Sequence, residues 1–168
     1  MPPIALAFTF PEMLAAQEIE LAKWEQWFLN QPASLLDLHV DMAKAEDLRS
    51  VLFHIFIVEV AYGEPLNDLH HPDVPIADVD TIPRESFAEL FALHHRGFAL
   101  LKRWAEHTTP EDAAKIFTRG KYRVSKKKCF IQAMEHTMRH FAQLAVALRQ
   151  AGHPTDWMHD FIVNPSML

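Results

Sequence analysis

Residues 42–62 read MAKAEDLRSVLFHIFIVEVAY. The first half of this stretch is amphipathic at helical spacing, and from Val51 onward it is apolar nearly all round. A run of this length is too long for one strand, so the pattern predicts a central, buried helix. Gly63 and Pro65 are expected to stop it. One ring donor, His54, stands in the apolar half, with Glu59 five residues on and Tyr62 at the end.

Three further stretches carry the helical period. Residues 10–29 place Met13, Leu14, Trp24, Trp27 and Phe28 on one stripe, with Pro11 suited to a first turn. Residues 83–106 place Phe87, Leu90, Phe91, Phe98, Leu101 and Trp104 on another, with Pro83 in the first turn and His94 inside the stripe. Residues 126–150 follow Ser125, a plausible N-cap, and are closed by Gly152 and Pro154. Thr109–Asp112 can cap a short extra helical turn.

Four helices of about 30 Å each predict an all-α, four-helix bundle in one domain over residues 1–168. The first and last connections, about twelve and nineteen residues, are long enough to cross the bundle at roughly 3.3 Å per residue. Those lengths permit an up-up-down-down course with two long crossovers.

Composition narrows the function. The chain has 168 residues, 49% hydrophobic and 23% charged, with only four glycines. A net charge of −6 argues against nucleic-acid binding, which needs a basic footprint. The single cysteine, Cys129, excludes an internal disulfide framework and a four-thiolate zinc site. Cys129 reads as a small buried residue in a reducing, cytoplasmic setting. No basic leader precedes Lys23, and no apolar run is long enough to span a bilayer. Eleven histidines are the outlier. His70, His71, His153 and His159 fall in a loop and the tail and read as surface residues.

His136 and His140 do not. They stand four apart, one above the other on one helix face, and two imidazoles so placed can converge on one ion at about 2.0–2.1 Å. His54 is the outstanding third ligand. It lies about 12 Å from the end of its helix, and His136 about 16 Å from the start of its own. If those two helices run antiparallel, the rings meet in the core. Should the third helix run back from the end of the second, His94 reaches the same layer, as a fourth ligand, a hydrogen-bond partner, a proton carrier or a core histidine. Other metal chemistries fail: His136-Thr137-Met138-Arg139-His140 lacks the glutamate of a zinc peptidase, and no E-x-x-H of a di-iron bundle occurs. Three histidines with an open position suit one divalent metal, zinc by default, with nickel or iron(II) compatible.

With His54 in LRSVLFHIFIVEVAYGEPL, and His136, His140, Gln143, Arg149, Gln150 and Gly152 in MEHTMRHFAQLAVALRQAGHPTDW, the chain resembles the DinB family of bundle metalloproteins. The likeness spans roughly residues 42–155. It departs at Phe141, Ala142 and Gln143, where the family often has a further His, then Arg and Gly. The resemblance implies the up-up-down-down bundle, a three-histidine divalent site and a homodimer. It also implies kinship with bacillithiol S-transferases and the mycothiol-dependent maleylpyruvate isomerase, hence a low-molecular-weight thiol cosubstrate.

Residues 118–128, TRGKYRVSKKK, concentrate six of the sixteen basic residues. They read either as a solvated loop or as an anion site for an acidic thiol, with Arg123, Lys126 and Lys127 as its binders. Glu59, about 140° round the helix from His54, can pair with a neighbouring helix or orient a ligand ring through its N–H. Tyr62 can hydrogen-bond at a pocket mouth or pack in the core. The leading expectation is an enzyme that activates a thiol and transfers it to a small electrophile. A metal-assisted hydrolase is the runner-up, and a non-catalytic metal-binding stress protein or sensor is the alternative. No nucleic acid or membrane partner is expected.

Overall fold

A computed structural model describes residues 9–42, 45–69, 76 and 78–160. His70, His71, Pro72 and Pro75 lie outside the described residues. Helix α1 spans Phe10–Leu29 and opens on a capping box: the Thr9 hydroxyl accepts from the Glu12 N–H, while the Glu12 carboxylate accepts from Thr9. After a short 3-10 turn, Ala33–Asp37, strands β1 (His39–Met42) and β2 (Ala45–Asp47) form an antiparallel ribbon.

Helix α2 spans Leu48–Leu66, so it starts six residues later than the sequence pattern suggests. Met42–Asp47 favours helix by composition, but the ribbon pairs His39 with Asp47 and Met42 with Ala45. Asp47 then caps α2, its carboxylate accepting from the Ser50 N–H at 2.7 Å. The helix also runs on through Gly63 and Pro65. Pro65 has no N–H to give to the carbonyl four residues back. That carbonyl, on Ala61, instead accepts from the Arg119 guanidinium at 3.1 Å, so the expected stop is bridged.

Helix α3 spans Phe87–His107, behind a Ser86–Glu89 capping box that leaves Pro83 outside the helix. The short α4 (Pro110–Ala114) follows the Thr109 cap. Residues 116–125 are a hairpin rather than a loop: β3 (Ile116–Arg119) pairs with β4 (Tyr122–Ser125) around Gly120, at φ +56°. Helix α5 spans Lys126–Gln150, capped by Ser125 and followed by Gly152 at φ +87°. The protein is mostly helical, with only these two small sheets among the described residues.

Side-chain pairs fix the helix directions. Arg49 meets Arg84 and Glu85, Glu59 meets His94, and Asn67 meets Leu100, so α2 and α3 run parallel. Phe28 stacks on Phe87, Glu25 bonds His95, and Phe10 packs on Trp104, so α1 opposes α3. Lys126 reaches Leu66 while Phe141 packs on Phe56, so α5 opposes α2. The course is up-down-down-up, which corrects the expected up-up-down-down order. Only the α2–α3 connection has to return along the bundle; the other two join helix ends lying at one end. Spacing along the sequence gives the length of a connection but not whether that length is used.

The core between the helices holds Trp24, Phe28, Phe56, Phe91 and Phe130, all essentially without solvent exposure. At the α2–α3 seam two glycines let the backbones approach. A Cβ on Gly97 would lie 2.7 Å from Glu59 Cβ and 2.9 Å from the Val60 nitrogen, and one on Gly63 would lie 2.6 Å from Leu100 Cβ. This close fit sets Glu59 directly against α3. No helix among the described residues is long and apolar enough to cross a membrane.

Candidate metal centre

Helices α2 and α5 bring His54, His136 and His140 together. One ring nitrogen from each lies within 4.8 Å of the others, and all three residues are half-buried. The Nε2 atoms of His54 and His136 are 3.1 Å apart. The ring centroids of His54 and His136 lie 4.9 Å apart, and those of His136 and His140 4.4 Å apart. Two nitrogens bound tetrahedrally at about 2.05 Å stand roughly 3.3 Å from each other, so this spacing fits ligands of one ion.

The electrostatics fit as well. Burial, with the neighbouring His140 and His54 rings, pushes His136 down to about 4. Burial likewise lowers His54, helped by His140. It lowers His140 too, against the opposing effect of the Gln143 hydrogen bond. Rings held neutral keep their lone pairs for a cation. The Nδ1–H of His140 donates to Gln143 Oε1 at 2.9 Å, which leaves Nε2 as the donor atom. The buried Nδ1 of His136 has no hydrogen-bond partner among the described residues. Three such nitrogens could hold one metal ion.

His94 does not join this cluster. It is buried on α3 with its Nδ1 2.7 Å from Glu59 Oε2. The other Glu59 oxygen accepts from the Thr137 hydroxyl at 2.9 Å. Glu59 therefore pairs with a neighbouring helix and orients no ring of the cluster. The His94–Glu59–Thr137 network ties α3, α2 and α5 together one residue from His136, and so sets the register in which the three rings meet. Sequence reasoning missed Thr137, since a hydroxyl between two histidines carries no periodic signal. Tyr62 stacks under the Arg119 guanidinium, 4.3 Å from its ring centroid, at the far end of α2.

The expected anion site does not hold together. Lys126 is 4% exposed, and its Nζ donates to the Leu66 carbonyl, Asp68 and Asp112 at 2.9–3.2 Å. It ties the end of α2 to α4 and has no valence left for a cosubstrate. Arg123 and Lys127 are exposed, and Lys127 lies about 13 Å along α5 from His136. Cys129 is buried, and burial pushes its thiol up to about 12, so it is no nucleophile.

A family model described as "DinB family" matches residues 23–164, most of the chain. No curated protein matches it.

Proposed function

The chain belongs to the DinB family, and on that premise we propose that His54, His136 and His140 hold one divalent transition metal, zinc by default, at a site that works on a small molecule. The observation that carries this reading is the convergence of three neutral ring nitrogens from two helices. When bound, such an ion supplies Lewis acidity that lowers the pKa of a thiol or a water. The residues supply the rest. The three histidines are only half-buried, which leaves room for a further ligand. Gln143 holds the His140 tautomer, and Glu59 keeps the helices in register.

The favoured reaction is transfer of a low-molecular-weight thiol to a small electrophile, in a cytoplasmic homodimer. Family membership supports this class, and the single cysteine, Cys129, is buried. The test is metal analysis followed by titration of zinc and nickel into chelated protein. About one equivalent per chain is expected, with none in His136→Ala. A chain that takes up neither metal sinks the reading. A non-catalytic role is separated by the fourth coordination position: in the cobalt-substituted protein, added thiol changes the absorption spectrum only if that position is open.

A further inference from the structure

Seven residues along a helix make two turns less about 20°, so positions i and i+7 share a face about 10 Å apart. Ala61 stands seven residues after His54 on α2, and Cys129 seven residues before His136 on α5. The two helices run antiparallel, so both positions lie on the same side of the histidine cluster and at one level. Arg119 of the β3–β4 hairpin sits there. Its Nη1 donates to the Ala61 carbonyl at 3.1 Å, its guanidinium lies over the Tyr62 ring, and its charge acts on the Cys129 thiol. Arg119 therefore stands about 10 Å along the helices from the three rings, on the line that both ligand faces share.

Arg119 is half-buried in a chain of net charge −6, yet among the described residues no carboxylate pairs with it. With Nη1 engaged, its Nε–Nη2 edge makes no hydrogen bond among the described residues. Two parallel N–H groups on such an edge match a carboxylate. A cation partly withdrawn from water and left without a counter-ion costs free energy until an anion joins it. Val58 and Gln132 stand one turn from His54 and His136 in the direction of Arg119, both partly exposed and neither charged. That strip suits an aliphatic chain. The other guanidinium near the rings, Arg139, already pairs with Glu135.

We propose that Arg119 anchors the carboxylate of the small molecule on which the histidine site works. The substrate class is then a flexible thiol acid, with thiol and carboxylate at opposite ends of a chain of about six carbons, which spans about 8 Å when extended. This inference rests on the metal reading above and adds the charge and length of what that site takes. Tyr62 holds the guanidinium plane in place before the ligand arrives.

The test titrates the cobalt-substituted full chain with 6-mercaptohexanoate and with 6-mercaptohexan-1-ol, followed by the thiolate-to-cobalt absorption. The two thiols match in length and differ in charge at the far end. The acid is expected to bind about tenfold more tightly, the scale of a charge-assisted pair. Arg119→Gln is expected to bring the acid down to the alcohol's affinity, Arg119→Lys to keep part of the advantage, and Arg139→Gln to keep all of it. Equal binding of acid and alcohol by the wild type overturns the proposal, and that comparison depends on no variant. It is overturned too if the advantage survives Arg119→Gln or is abolished by Arg139→Gln. Equal weakening of both thiols in Arg119→Gln marks a structural role alone and also overturns it. In each of these outcomes thiol still reaches the cobalt, so the metal reading stands. A protein that takes up no cobalt, or whose cobalt spectrum neither thiol changes, fails at the metal site itself and takes this proposal with it.

Discussion

Glu59 engages both carboxylate oxygens in the dry interior, one with His94 and one with Thr137. Truncating it strands two polar partners at once. Glu59→Ala is expected to cost about 3 kcal/mol in urea unfolding, and Glu59→Gln clearly less, because it keeps the shape. Gln143 acts on the ligand ring itself. Gln143→Ala is expected to lower metal affinity by about tenfold or more in a chelator competition, with the melting temperature of the metal-free protein unchanged. The three histidines were legible in the sequence because an i,i+4 pair and a lone ring in an apolar helix are signals of spacing. The roles of Thr137 and the buried Lys126 were not legible. Their roles depend on what lies across from them, and residue type alone does not say.

Single elements obey their caps more closely than their propensities. The bounds of α5 followed from Ser125 and Gly152, whereas α2 began late because ribbon pairing took Met42 and Ala45–Asp47 out of the helix. Its continuation past Pro65 rested on the bond from Arg119 to the Ala61 carbonyl, 58 positions apart, which no local pattern records. The α2–α3 seam depends on Gly97. Gly97→Ala is expected to force the helices apart at a cost of about 2 kcal/mol, and to weaken metal uptake by moving His54. Helix α4 is fastened by Asp112. Burial pushes this carboxyl up, but hydrogen bonds from Lys115, Trp104 and Lys126 outweigh it and hold it below the usual carboxylate range. Its folded pKa lies under its unfolded one, so its contribution is complete above about pH 4 and fades as the pH falls further. The stability difference between wild type and Asp112→Asn should therefore be constant from pH 7 to 5 and shrink towards pH 2.

At the scale of the whole molecule, fold class and family were readable from four periodic stretches and the histidine motifs. Direction was not. An amphipathic stripe packs equally well either way up, so only cross-helix pairs such as Arg49 with Glu85 reveal the up-down-down-up course. Helix α2 packs along its length on α3 and α5, and α1 does so on α3 and α5. The two pairs joined at one end, α1 with α2 and α3 with α5, sit across the bundle from each other, and the one consecutive pair that packs is parallel. This order bears on how fast the chain can assemble. No antiparallel pair of consecutive long helices packs together among the described residues, so each lengthwise packing waits on closure of a long loop. Refolding followed by tryptophan fluorescence should take roughly ten milliseconds or more, slow for an all-helical chain. Completion within a stopped-flow dead time would show that some pair forms without such a loop. The two small β-ribbons, closing over a few residues, are the elements placed to form first.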